Sequence, residues 1–482
     1  MPGAPARGTR LAKAVSRVTG RPALAAPALR AGHAIELLEC GAAFFPALVS
    51  AIDTARTEVH VETYILHDDP SARRVIEALV RASRRGVAVR LAVDGFGTPR
   101  VPAGLARLMA GSPMQLRVFR PEDHRFALDR RRLRRLHRKL VVVDQELAIV
   151  GGINLLDDLI DPNHGALEQP RLDFAVAVRG PLVSDARRAM RRVWHELESR
   201  ASLRRWLAEE AARAGAQLAK IADTPRPALP VPLAESTAKP TSEPTSQPTS
   251  QPTSQPTSAA PAGLPGVAIS AHTAPPALAP DGEGTTTPAT GLQAMLLLRD
   301  NFRFRRTIEH EYLAAIATAR REILIANAYF FPGIRLRRAL TDAARRGVQV
   351  TLLLQGRVEY RLQHYASKAL YDELLGAGIH IIEYKTSFLH AKVAVIDDWS
   401  TVGSSNIDPF SLLLAREANV VVRDDAFALN LRTRLMAAIE GGGRPVLAQH
   451  HARRSLPERL MNWFAYGMLR AGVALSGRAT RY

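Results

Sequence analysis

Two stretches carry residue types that could do chemistry on a phosphate. One is His137-Arg138-Lys139 with Asp144 behind it, and the other is His390-Ala391-Lys392 with Asp397 behind it. Both read H-x-K-x-x-x-x-D. A glycine turn and an asparagine follow each: Gly151-Gly152-Ile153-Asn154 in the first, Gly403-Ser404-Ser405-Asn406 in the second. In such a set lysine supplies charge, and the carboxamides of Asn154 and Asn406 and the turn amides at Gly152 and Ser404 supply donors to phosphate oxygens. Two sets facing each other would surround one phosphorus with cationic donors and stabilise a five-coordinate transition state without a metal or cofactor. One histidine would attack phosphorus as the neutral base, and the other, protonated, would give its proton to the leaving alkoxide. An imidazole with an ordinary pKa of about 6.5 suits either role. The symmetry of the sequence does not decide which histidine does which.

The local pattern predicts how these residues are held. If Lys139 opens a strand, His137 and Lys139 leave the same face, since successive side chains alternate. A second strand, Leu147 to Val150, returns to the glycines and makes a hairpin with His, Lys and Asn at its open end. Asp144 has the opposite parity to His137. It and Asp397 complete the motif and count among the candidate catalytic residues, but their place casts them as structural partners. Further on, each half has an acidic residue leading an apolar strand, Asp173 before Phe174-Ala175-Val176 and Glu417 before Ala418-Asn419-Val420. Either is placed, in sequence order, to orient a histidine through its far ring nitrogen.

These matches belong to a longer duplication. Ala51-Ile52-Asp53-Thr54-Ala55-Arg56 returns as Ala315-Ile316-Ala317-Thr318-Ala319-Arg320, and Arg84-Arg85-Gly86-Val87 as Arg345-Arg346-Gly347-Val348. Both sets of landmarks come in the same order as the two boxes, so the chain repeats a domain of α/β type. Strand, amphipathic helix, basic last turn, glycine and strand succeed one another from Val59 to Val93, which implies β-α-β units and mixed, largely parallel sheets flanked by helices, with the active site between the halves. The expected layout is a basic flexible arm (1–30), a first domain with a trailing helix (31–222), a disordered Pro/Thr/Ser-rich linker (223–290), a second domain (291–445) and a basic, aromatic, amphipathic tail (446–482).

The 482 residues carry a formal charge of +19, which calls for an anionic partner, either nucleic acid or an acidic membrane. The single cysteine, Cys40, excludes an internal disulfide and a multi-cysteine metal site. No apolar run reaches the roughly 20 residues that span a bilayer, and no signal-peptide core follows the N-terminal basic residues. The expectation is a protein peripheral to the cytoplasmic membrane. Arg130 to Arg135 run straight into His137, where they could gather anionic headgroups. The tail from Leu460 to Leu475 mixes Trp463, Phe464 and Tyr466 with flanking arginines, and suits either the bilayer interface or a face of its own protein. His364, His450 and His451 lack partners at metal spacing and read as surface residues. Asp94-Gly95-Phe96-Gly97 lacks the third glycine and helix of a dinucleotide loop.

The paired boxes with their G-[GS]-x-N followers resemble the phospholipase D superfamily, across both halves but not the arm, linker or tail. Val61 to Leu66, Ala326 to Gly333 and Val402 to Leu412 are most similar to bacterial cardiolipin synthases, of the type without N-terminal membrane helices. The resemblance implies transfer of a phosphatidyl group: histidine attacks the phosphorus of phosphatidylglycerol, and the alcohol of a second phospholipid then attacks the phosphatidyl-histidine. It also implies His137 as nucleophile and His390 as acid and base. The alternative is a phosphodiesterase with the same histidine chemistry that cleaves nucleic acid, which the charge would suit equally. Against it stand the aromatic, basic tail and the family-specific stretches.

Overall fold

Fifteen of the described strands form one sheet whose order displays the duplication. In the first half the elements are β1 (Arg30–Glu39), α1 (Cys40–Thr54), β2 (Glu58–Thr63), α2 (Pro70–Arg84), β3 (Ala88–Asp94), α3 (Ala103–Met109), β4 (Gln115–Phe119), β5 (Lys139–Val143), β6 (Leu147–Gly151), a small pair β7 (Ile160–Asp161) and β8 (Gly165–Ala166), and β9 (Phe174–Arg179). A helix, α4, covers 182–199. The second half runs β10 (Leu292–Arg299), α5 (Thr307–Thr318), β11 (Glu322–Asn327), α6 (Ile334–Arg345), β12 (Gln349–Gln355), α7 (Arg361–Lys368), α8 (Tyr371–Gly376), β13 (His380–Tyr384), β14 (Lys392–Ile396), β15 (Trp399–Gly403), α9 (Pro409–Leu413), β16 (Glu417–Arg423), α10 (Asp425–Gly442), β17 (Gly443–Pro445), α11 (Ala448–Ala452) and α12 (Leu456–Val473). This computed structural model describes residues 27–121, 134–199, 291–300 and 304–474, all in one compact unit. The Pro/Thr/Ser segment, Arg130 to Leu133 of the arginine cluster, most of the N-terminal arm and the chain after 474 lie outside the described residues, as do Leu203, Trp206 and Leu207 of the trailing helix.

The strand order is symmetric about its middle. From the antiparallel β1–β10 pair, one side reads β9, β6, β5, β2, β3, β4 and the other β16, β15, β14, β11, β12, β13, with β17 added at the second edge. The α/β class and the repeated domain are as expected. The parallel share is smaller than the sequence implies. Only β2–β3–β4 and β11–β12–β13 run parallel, because only they are joined by crossover helices. The rest pair antiparallel, since each box folds back on itself as the β5–β6 or β14–β15 hairpin.

Periodicity dictates the layers. In β5, Leu140 and Val142 join one core cluster while Val141 and Val143 join another on the opposite face. A strand buried on both faces reads as a continuous apolar run, as this one does. One face of the sheet packs in both halves against a single cluster that includes Met190 of α4 and Leu431 and Leu435 of α10. The other face is covered by α1 and α2 in the first half, and by α5, α6, α7 and part of α12 in the second. Local signals fix the helix ends: Asp69 caps α2 by accepting from Ala72 N at 2.8 Å, and Gly86 and Gly347 take φ of +93° and +89° beyond α2 and α6.

Candidate active site

The histidines stand two residues before the lysines that open their strands, and a cross-over between halves fixes each. His137 N donates to Arg416 O at 3.0 Å and Arg416 N to Arg135 O at 2.7 Å, so the chain before β5 pairs with the chain before β16. Symmetrically, His390 N donates to Leu172 O at 2.8 Å and Leu172 N to Phe388 O at 2.9 Å. Each histidine is thereby set beside the acidic residue of the other half. His137 Nδ1 lies 3.1 Å from Glu417 Oε2, and His390 Nδ1 lies 2.6 Å from Asp173 Oδ2. A carboxylate can only accept, so Nδ1 carries the proton in both rings and Nε2 presents its lone pair. Lys139 Nζ sits 3.3 Å from His137 Nε2 and donates to His137 O at 2.8 Å; Lys392 Nζ donates to His390 O. The two-residue spacing therefore does put each lysine beside its histidine.

The turns after the hairpins hold the carboxylates. In the second half Ser404 Oγ donates to Glu417 Oε2 at 2.6 Å. In the first half Gly152 faces Asp173, and a Cβ there would overlap the Asp173 carboxylate. Glycine and aspartate thus fill the space that serine and glutamate share in the other copy. Asn154 Oδ1 accepts from Ile65 N at 3.1 Å, and Asn406 is buried with its Oδ1 unpartnered among the described residues.

Asp144 and Asp397 are not brought to this place. They follow β5 and β14 directly, about 17 Å from the lysines that open those strands at roughly 3.3 Å per strand residue. Asp144 accepts from the amides of Arg56, Thr57 and Glu58 at 2.6–2.9 Å, and Asp397 from those of Arg320, Arg321 and Glu322 at 2.8–3.0 Å. Partial burial opposes their charge, but these amides outweigh it and hold both carboxyls below their ordinary value. Neither stands beside the histidines and lysines; each ties its hairpin to the turn before β2 or β11.

Electrostatics follow from burial. Desolvation pushes His137 below its ordinary pKa against the pull of Glu417, and pushes His390 well below, helped by Lys392, Lys139 and Arg171. Burial first, then Lys392, lowers Lys139 to about 7. Burial lowers Lys392 to about 8 although Asp173 and Glu417 resist. Asp173 is raised to about 6, again by burial. A site so packed with cations suits an anion, whose charge would favour the protonated lysines.

Several residues here escaped the sequence reading. Asp94, at the end of β3, accepts from Leu136 N at 2.7 Å, and Gln355, at the same place in β12, accepts from Leu389 N at 3.2 Å. They anchor the residue before each histidine, which is the use of the Asp94-Gly95-Phe96-Gly97 stretch. Arg135 is buried over the Phe96 ring, 4.8 Å from its centroid, so this member of the arginine cluster is no open loop residue. Tyr64 lies edge-on to His137 at 4.7 Å. On the other wall Tyr329 donates to Glu359 at 2.5 Å, and burial, with Asp161, raises the Glu359 carboxyl despite that bond. His451, expected at the surface, is buried beside Tyr371 and Asp372.

Residues 48–167 and 312–438 match the family described as "Cardiolipin synthase, PLD-like domain", one stretch in each half. The chain is 31% identical to cardiolipin synthase B of Salmonella typhi over 449 residues, which cover 93% of this chain and 90% of the relative. Identity to cardiolipin synthase B of Escherichia coli strain K12 is 30% over the same shares. Among solved structures, the phosphatidylserine synthase of Haemophilus influenzae Rd KW20 has the same fold, with a TM-score of 0.56 and 12% identity over 97% of this chain and 98% of that one.

Proposed function

The chain belongs to the phospholipase D-like cardiolipin synthase family, whose members are phosphatidyltransferases acting on phospholipids, and on that premise we propose how its own residues make cardiolipin. His137 Nε2 attacks the phosphorus of phosphatidylglycerol. The bond from phosphorus to the glycerol headgroup breaks, and His390, taken to its imidazolium form when the phosphodiester anion enters the site, gives its Nε2 proton to the departing alkoxide. A phosphatidyl group is left on His137 through a P–N bond. The hydroxyl of a second phospholipid, taken here as phosphatidylglycerol, then gives its proton to His390 and attacks phosphorus. The P–N bond breaks, and cardiolipin leaves.

The observation that carries this reading is the position of Lys139. Its ammonium faces His137 Nε2 while Glu417 holds Nδ1, so His137 is kept in the tautomer that carries its lone pair on Nε2, the atom that attacks once the phosphate takes the ammonium. Lys139, Lys392 and the turn amides then take the phosphoryl oxygens as negative charge develops. Asp173 and Glu417 orient the two rings and stabilise each as it becomes cationic. The enzyme works at an anionic lipid surface that its charge favours. Among the described residues no helix is long and apolar enough to cross a membrane.

The test is turnover of phosphatidylglycerol vesicles by purified protein without added divalent ion. Cardiolipin and glycerol should appear in equal amounts. His137→Ala should give neither product nor adduct, and His390→Ala should accumulate protein-bound lipid. Cleavage of single-stranded or duplex DNA with no lipid turnover would sink the reading. An adduct on the His137→Ala variant would reverse the order of roles.

A further inference from the structure

The tail helix α12 has two opposed faces. Asn462, Ala465 and Leu469 are buried, and Tyr466 lies against Phe331 at 5.4 Å, so one face is docked on the second half. The opposite face is apolar and open. Leu456, Leu460, Trp463, Phe464 and Met468 recur at i, i+4, i+7, i+8 and i+12 and are 71%, 69%, 54%, 64% and 48% exposed. At about 100° per residue they occupy one arc roughly 140° wide. No charged residue enters that arc: Arg459 and Arg470 run along one border, and Glu458 points to the docked side. A helix that only completed the core would turn polar residues outward. A dense apolar surface with a basic border marks an interaction site.

We propose that this face is the surface by which the protein docks on a lipid bilayer. The helix lies in the plane of the interface, with Trp463 and Phe464 at the boundary between headgroups and acyl chains. Arg459 and Arg470 meet anionic headgroups, which a second copy of the same basic border would not offer. The helix that carries this face also packs on one that begins at the edge of the active site. Helix α7, on which α12 packs, begins next to Tyr360 and Glu359, Tyr360 is 52% exposed, and Glu359 is close enough to Lys392 to raise its pKa. The choice of a bilayer as occupant rests on the phospholipid reaction assigned above.

Vesicles of phosphatidylglycerol and phosphatidylcholine test the docking, and detergent micelles of short-chain phosphatidylglycerol test the reaction separately. Leu460→Glu/Phe464→Glu alters two open side chains, and an unchanged thermal melt verifies its fold. This variant should bind vesicles about 100-fold more weakly or worse, from the transfer free energy of two large apolar side chains, and keep its turnover in micelles. Brominated acyl chains should quench wild-type tryptophan fluorescence, and Trp463→Phe should remove that quenching. Vesicle binding unchanged in the double variant would overturn the proposal. So would a wild-type dimer that the variant loses while both bind vesicles alike, which would make the face an interface between copies. If neither protein turns over micellar lipid but only the wild type binds vesicles, docking stands and the reaction assigned above falls.

Discussion

At the scale of single residues, the two half-sites are alike in plan and unlike in fit. Asp173 needs glycine at 152, whereas Glu417 takes a hydroxyl from Ser404. Copying the second half into the first is therefore not conservative. Gly152→Ser should displace Asp173, misorient His390 and lower kcat by about 10-fold or more, because positioning of a general acid and base is worth roughly 10²–10⁴ in rate. Ser404→Ala should cost less, since it removes a neutral donor and leaves Glu417 in place. Steady-state kinetics on the two variants compares them directly, and equal losses would count against this fit. The lysines set the pH range. Lys139 near 7 and Lys392 near 8 must be protonated to hold the phosphate, so kcat/KM should fall as pH rises through about 7 to 8. Saturating lipid should move that limb upward, because the bound anion favours the charged lysines. A profile flat to pH 9 would contradict the assignment.

At the scale of elements, the hairpins are located by devices that differ between the copies. In the first half Arg138 forms a buried ion pair with Glu62 on β2 and donates to Ala189 O of α4 at 3.0 Å. In the second half the same two places are Ala391 and Ala326, both inside the apolar core. Arg138→Ala alone should cost about 3–5 kcal/mol by leaving Glu62 charged and unpaired. Glu62→Ala/Arg138→Ala should recover part of that loss, because the other copy packs there without charge. Chemical denaturation of the four proteins measures the coupling, and additive losses would refute it. The hairpins themselves were legible in the sequence, since two apolar runs around a short turn, closed by His-x-Lys and glycine, leave little choice of register. So were the crossover helices, from their apolar stripes and glycine stops. The anchors Asp94 and Gln355 were not, because they act on residues 42 and 34 positions away. The one signal that could have found them is the duplication, which places both at the end of the third strand of their halves.

At the scale of the whole molecule, the sheet runs through both halves and the acids are exchanged. Sequence order named Asp173 and Glu417 but could not say which histidine each serves, since that depends on how the copies dock. The exchange separates two effects of mutation. Glu417→Gln, a change in the second half, should weaken His137 and slow formation of the lipid adduct. Asp173→Asn, a change in the first half, should weaken His390 and slow breakdown, so adduct accumulates. Rapid-quench measurement of the two phases decides it, and the opposite assignment would refute the exchange. The convergence of both boxes on one space has a further consequence for stoichiometry. Two complete motifs should never hold two phosphatidyl groups at once. Trapping should saturate at one lipid per chain, and initial rates against the concentrations of two distinguishable lipids should give the parallel double-reciprocal lines of a reaction in which the first alcohol departs before the second arrives.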